Sequence, residues 1–357
     1  MVAQRPEVIA EAGSNHNGDP ERARQLVDVA VESGASSVKF QFIFADGLYL
    51  PEFFDGERKV RNPVFDQRKK EELTETEWSS IWEYAHGKGI PVSASVFCER
   101  GVQLLYRLGS PYVKIASTDL TNHNLIGKAC QCFQRVIVST GMASLSEIDG
   151  MVAFVRESYP ETDLQLMHCV SSYPCPLNEA NTQRVSLLRH SFDLCVGYSD
   201  HTEGTESAVM ALVQGATFFE KHFTVDRNQP GFDHAHAMES AELMNYVRTL
   251  ADSMISLEKP ANQSSSEELV SKIRARRGIY AAKDLPAGHI LTKEDLLFVR
   301  PSSSFSGKDV SLLVGKALAQ DVPQYAALGE GGQAMVVESN WRDASAYWKN
   351  EMDAKNM

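Results

Sequence analysis

The chain has 357 residues, 43% hydrophobic and 23% charged, with a formal net charge of −12; that balance gives phosphate backbones no attracting field and excludes a general nucleic-acid binder. No apolar run approaches the ~18 residues of a membrane span, and the opening MVAQRPEVIAEAG lacks the basic-then-apolar pattern of a secretory signal. The six cysteines, Cys98, Cys130, Cys132, Cys169, Cys175 and Cys195, form neither a disulfide framework nor a paired zinc spacing, so reduced thiols in a cytoplasmic protein are expected.

In chain order, short apolar runs keep ending in a polar side chain, with stretches of helical period between them. The first predicted strand, 8–12, is closed by Glu11. Asp19-Pro20 then reads as an N-cap followed by Pro at the first helical position, and Ala23, Leu26, Val27, Ala30 and Val31 recur at helical spacing. Lys39 and Gln41 close SSVKFQF. The segment 43–73, with Pro, Gly and mixed charge, is expected to be one long connecting loop whose charges are solvated. Ser93 and Ser95 close the next run, Lys114 and Ser117 the next, then Ser139, His168, the triplet Ser199-Asp200-His201, and His222. A last helix is predicted over 241–257. Eight strand-then-helix units predict an α/β fold, a (β/α)8 TIM barrel over 1–258. Such barrels place their chemistry where all strand C-termini open on one face.

Beyond the barrel the texture changes. Residues 259–272 read as a polar, Ser-rich linker. Residues 273–337 read as a compact β-rich module with a turn at Pro286-Ala287-Gly288, and 338–357 as a polar tail.

The strand-end residues suggest a chemistry. A lysine inside a strand pattern is costly to bury without an anion. Lys39 and Lys114 on one face therefore suggest a doubly negative ligand, with serine hydroxyls as added donors; a Schiff-base lysine is the competing reading. No GxxxxGK[ST] loop is present, so this is not a Walker nucleotide site. Glu11 reads either as a general base that positions water or as a structural partner of a barrel lysine. His201 and His222 end consecutive strands and can hold a divalent metal, Mn2+ or Mg2+, or bond each other's surroundings. Asp233, His234 and His236 follow in a Gly-containing loop as substrate contacts or solvated side chains.

The motifs EAGSNHNG, VKFQ, YVKIAS, STGM, HCVSSYP, GYSDHT, EKHFT and GFDH resemble, in order and spacing, those of the sialic acid synthase family, and the C-terminal module resembles its antifreeze-like (SAF) domain. The resemblance covers nearly the whole chain. It implies condensation of phosphoenolpyruvate with an N-acetylated hexosamine such as N-acetylmannosamine, giving a nine-carbon 3-deoxy-2-keto acid and phosphate. It further implies that Lys39, Ser95, Lys114, Ser117, Ser139, Ser171 and Ser199 hold phosphoenolpyruvate. By the same resemblance His201 and His222 hold the metal, and Gln41, Asp119, Tyr173 and Asp233 contact the sugar. Glu11, with Lys39, Lys114 and Asp119, stands near the reacting carbons. Arg300 would close over the sugar from a second copy in a domain-swapped homodimer. Asp119 stands where many members carry Glu, Ser171 where some carry Asn, and Phe232 where Pro is common. The sugar side thus varies more than the phosphoenolpyruvate side, and legionaminic-type, pseudaminic-type or 6-phosphorylated acceptors stay open. A Schiff-base aldolase on the same barrel and a non-catalytic carbohydrate-binding protein are the rival readings.

Overall fold

The structure, a computed structural model, describes residues 6–257, 262–329 and the backbone of Ala334–Met335; the tail expected over 338–357 lies outside them. The chain divides into two compact units, residues 1–259 and 260–357.

The first unit is a closed (β/α)8 barrel. Its strands are β1 (Glu7–Gly13), β2 (Ser37–Phe42), β3 (Val92–Val96), β4 (Val113–Ile115), β5 (Arg135–Ser139), β6 (Asp163–His168), β7 (Val196–Asp200) and β8 (Phe218–His222). All pair in parallel with their sequence neighbours, and β8 closes onto β1. Side chains alternate along each strand. On β1 and β2 the residues Val8, Ala10, Ala12, Val38, Phe40 and Phe42 join the buried core shared with the helices. Register then sets the polar positions side by side: Glu11 pairs with both Lys39 and His222, and Ser95 with Lys114.

The first helix, Pro20–Glu32, starts as its sequence dictates: Asp19 accepts the Glu21 N–H, Pro20 needs no partner, and Ala23, Leu26, Val27 and Ala30 are buried. Burying a side chain such as Leu26 or Val27 contributes about 1.5–3 kcal/mol relative to exposure.

Segment 43–73 is not one loop. It holds a short helix Ala45–Leu48, an antiparallel hairpin Glu52–Asp55/Arg58–Arg61, and a helix Pro63–Glu71. The reasons are local. Gly56 takes φ +61 at the hairpin turn, and Asn62 caps the Val64 N–H ahead of Pro63.

In the second unit, the segment expected as a linker over 259–272 runs into a helix, Ser266–Ala275, that starts within it and extends beyond it. Ser265 and Glu268 cap it reciprocally, a signal hidden inside the Ser-rich run. An antiparallel sheet follows in the order Leu296–Val299, Gly278–Ala281, Ala327–Leu328, Ala334–Met335. Its own core includes Ile279, Leu285, Leu291, Leu318 and Val322. Gly288, at φ +81, makes the expected turn, where the His289 N–H reaches the Pro286 carbonyl at 3.1 Å.

Candidate active site

The barrel interior is layered. Ile9, Tyr112, Ile137, Met167 and Phe218 pack into a buried apolar floor. The Phe218 ring lies so close to β7 that a Cβ on Gly197 would fall 2.4 Å from it, so only glycine fits there. Two residues further along each strand, on the same face, stand Glu11, Lys114, Ser139, Cys169 and Glu220.

The next layer is a network of buried charges. Lys39 forms an ion pair with Glu11, bonds Ser95 Oγ at 2.8 Å, and lies 3.5 Å from Glu220 Oε2. Lys114 approaches the same Glu220 oxygen at 3.4 Å. Gln41 donates to Glu11 Oε1 at 3.1 Å, and Ser199 donates to Glu220 Oε1 at 2.9 Å. Glu11 is therefore a salt-bridge partner of a barrel lysine by position, and its titration also suits acid–base work. Burial pushes its carboxyl up to about 7, with Lys39 opposing and Glu220 assisting. For Glu220 burial is outweighed by Lys114 and then Lys39, which hold it well below the usual carboxylate range. Lys39 is also desolvated, but Glu11 and Glu220 raise it above the usual ammonium value. Glu220 is the residue that sequence reasoning missed. The reading stopped at His222 as the closing residue of FFEKHF, although the period of two places Glu220 on the same face.

On one side of this layer, hydroxyls and a thiol crowd around Gly141. Its N–H donates to Ser117 Oγ at 3.0 Å, and Ser117 Oγ lies 3.2 Å from Cys169 Sγ. A Cβ on Gly141 would meet Ser171 Oγ at 2.6 Å and both Cys169 Sγ and Ser117 Oγ at 2.8 Å. Ser139 is buried at the end of β5 beside them. Small donors around an open backbone suit an anionic oxygen.

Imidazoles form the upper rim. The His201 and His222 rings are 5.7 Å apart, and Tyr173 lies over them at 4.2 and 5.9 Å. His201 Nδ1–H donates to the Val170 carbonyl at 2.6 Å, which fixes the tautomer and leaves the Nε2 lone pair facing inward, 3.1 Å from Ser199 Oγ. Burial lowers His201 to about 4 and His222 to about 3, so both rings are neutral and ligand-competent near pH 7. His236 stacks 5.0 Å from His222. Donor atoms of His222, Asp233 and His236 all lie within 4.8 Å of one another. Asp233 Oδ2 accepts from the Ser14 N–H and hydroxyl at 3.2 and 3.1 Å, an approach that only the bare Gly13, at φ +55, permits.

Not every strand-closing residue enters the lumen. Asp200 and His168 are one residue out of phase. Asp200 pairs with Lys221 at 3.1 Å, and His168 bonds the Ala180 carbonyl at 3.0 Å. Asp119 sits in a short 3-10 turn, Ser117–Asp119, where it accepts from Thr118 and Asn122, each at 3.0 Å. Arg300, at the end of strand Leu296–Val299 in the second unit, is exposed. The loop after β1 is tied down: Asn15 bonds the Phe223 carbonyl at 2.9 Å, and Asn17 bonds that of Pro230 at 2.7 Å. No helix among the described residues is long and apolar enough to cross a membrane.

Comparison with known proteins agrees with this arrangement. The NeuB family model matches residues 26–261, and the SAF domain model matches residues 276–324. An N,N'-diacetyllegionaminic acid synthase of Legionella pneumophila is 34% identical over 323 residues, 88% of this chain and 91% of that protein. A pseudaminic acid synthase of Campylobacter jejuni is 30% identical over 333 residues, 91% of this chain and 95% of that protein. Among solved structures, an N-acetylneuraminic acid (sialic acid) synthetase from Leptospira borgpetersenii, in complex with citrate, superposes with a TM-score of 0.67 at 31% identity. It covers 74% of this chain, and the match spans 90% of that protein.

Proposed function

The chain belongs to the NeuB family, with a SAF domain C-terminal to its barrel in sequence, and from that premise we propose that it is a transferase condensing phosphoenolpyruvate with an N-acetylated hexosamine. The product would be a nine-carbon 3-deoxy-2-keto sugar acid plus inorganic phosphate. The observation that carries the reading is the buried Lys39–Glu220–Lys114 bridge beneath the imidazole rim.

Lys39 and Lys114 take the phosphate and carboxylate of phosphoenolpyruvate, with the hydroxyls of Ser95, Ser117, Ser139, Ser171 and Ser199 as further donors. His201 and His222 would hold a divalent ion, Mn2+ or Mg2+, and the chemistry it would supply there is Lewis-acid polarisation of the carbonyl of the open-chain sugar. Gln41 and Tyr173 border the sugar, with Asp119 beside the serine cradle. Held this way, C3 of phosphoenolpyruvate faces the aldehyde carbon within attack distance. The new C–C bond uses the enol electron pair, and the aldehyde oxygen takes up the proton that Glu11 carries once phosphoenolpyruvate is bound, which leaves Glu11 free to accept one from water. Water then adds at C2, giving a proton to Glu11, and the C2–O bond breaks to release phosphate. A carboxylate titrating at about 7 suits that transfer. Arg300, exposed on the SAF domain, would cap the site of a second copy.

A Schiff-base mechanism needs a lysine with a depressed pKa. The raised Lys39 favours the anion clamp instead. The names of the relatives favour a diacetylated legionaminic- or pseudaminic-type precursor alongside N-acetylmannosamine as acceptor. The decisive experiment is phosphate release from phosphoenolpyruvate across a panel of N-acetylated, diacetylated and 6-phosphorylated hexosamines. Release with one acceptor and no imine trapped by borohydride is expected. Silence across the panel would overturn the reading.

A further inference from the structure

The proposed centre uses two imidazoles, yet the rim holds a third. His236 comes from the loop after β8, and its Nε2 is buried without a hydrogen-bond partner among the described residues, as is Nδ1 of His222. A buried polar atom left unpaired is costly, so two of them side by side point to a shared partner. The donor atoms of His222 and His236 lie within 4.8 Å of each other and of an Asp233 carboxylate oxygen. Donors bound at about 2.1 Å to one ion stand up to about 4.2 Å apart, so small side-chain rotations close the gap.

The loop is rigid enough to hold such a ligand. Asn17 bonds the Pro230 carbonyl at 2.7 Å and reaches His234 Nε2 at 3.3 Å. His234 Nδ1 meets Thr224 Oγ1 at 2.7 Å, and the Met238 N–H bonds the His222 carbonyl at 2.9 Å. His236 is thus fixed between two anchored residues, its ring 5.0 Å from those of both His222 and Tyr173.

We propose that His236 is a third imidazole ligand of the metal: with His222 and Asp233 it makes up the group whose donor atoms lie close together, Asp233 serving as an oxygen ligand instead of a direct sugar contact, and His201, outside that group with its ring 5.7 Å from that of His222, turns in to complete the set. Three nitrogens and a carboxylate favour Mn2+, Co2+ or Zn2+ over Mg2+, which prefers oxygen and water. The inference rests on reading the barrel mouth as a metal centre.

It is tested on the full-length protein, stripped with chelator and checked by circular dichroism. Mn2+ binding is followed by calorimetry, and pulsed electron paramagnetic resonance counts the coupled imidazole nitrogens. Three imidazoles are expected in the wild type and two in both His236→Ala and His236→Gln, with the Mn2+ dissociation constant raised about tenfold or more in each. Excess Mg2+ is expected to leave bound Mn2+ in place. Two coupled imidazoles in the wild type would overturn the inference whether or not the variants fold. So would variants that bind Mn2+ as the wild type does, and either result leaves the condensation reading intact. A wild-type protein that takes no Mn2+ removes the metal centre itself, and with it the role of His236.

Discussion

One oxygen of Glu220 faces the ammonium of Lys114 at 3.4 Å, and the same oxygen lies 3.5 Å from Lys39. On the proposed function, a bound dianion would share the same two ammonium groups with it. Removing one partner of a buried ion pair costs about 3–5 kcal/mol, because the other charge is left uncompensated. Glu220→Gln is therefore expected to melt well below the wild type, and phosphoenolpyruvate is expected to restore more stability to it than to the wild type. Lys114→Met should weaken phosphoenolpyruvate binding by roughly ten- to a hundredfold, the worth of a charge-assisted hydrogen bond. Calorimetric scans with and without the ligand read both effects. A Glu220→Gln protein as stable as the wild type in ligand-free buffer would contradict the account.

Glu11 titrates at about 7 because burial outweighs the pull of Lys39. Phosphoenolpyruvate bound at that lysine brings further negative charge next to the carboxyl and raises its pKa again. Binding between pH 7 and 8 should thus take up protons, seen as a dependence of the calorimetric heat on the ionisation enthalpy of the buffer. The dependence should vanish in Glu11→Gln. Proton release, or no exchange at all, would rule out this role for the carboxyl.

His16 is buried against Trp78, with ring centroids 5.3 Å apart, and its Nδ1 accepts the Gly18 N–H at 3.1 Å. Burial, with the nearby Arg68, lowers it from 6.5 to about 4. Between those values the unfolded chain binds the proton and the folded chain does not, so stability rises with pH there. The contribution is present above about pH 6.5 and lost as pH falls toward 4, on the order of 3 kcal/mol in all. Denaturant titrations of wild type and His16→Asn across pH 4–7 should differ in slope over that window. Identical slopes would show that His16 does not titrate as described.

If Arg300 serves a second copy, a His222→Ala chain and an Arg300→Ala chain expressed together should complement each other. In a mixed dimer one site inherits both lesions and the other inherits neither. With random pairing about half the dimers are mixed, so about a quarter of wild-type activity is expected. No recovery would assign Arg300 to its own chain.

The barrel was legible because its signal repeats. Eight apolar runs with polar ends leave few other folds, and Asp19-Pro20 marked a helix start by local chemistry alone. What escaped was phase. Reading each run by its closing residue set Asp200 and His168 level with the other strand ends without saying which face they take; the alternation of the strand turns them outward, and it turns inward Glu220, which the reading passed over. Burial of charge was read correctly as costly for Lys39, and Glu11 was one candidate partner for a barrel lysine; that Glu11 on the adjacent strand and Glu220 on β8 both compensate Lys39 depends on register, which one sequence does not display. The helices Pro63–Glu71 and Ser266–Ala275 lay inside polar runs whose composition masked their caps.

The apolar floor of Ile9, Tyr112, Ile137, Met167 and Phe218 plugs the barrel below its charged layer. Lys39 and Lys114, only 1% and 3% exposed, lie just above it, while Tyr173 at the rim is 52% exposed. Whatever binds at depth must pass the rim before the rim is filled. If phosphoenolpyruvate binds at these lysines as proposed, it is expected to be the leading substrate and the sugar the trailing one, with phosphate leaving after the sugar acid. A saturating sugar alcohol, unable to react, should slow the association of phosphoenolpyruvate; an unchanged association rate would mean that a second way in exists.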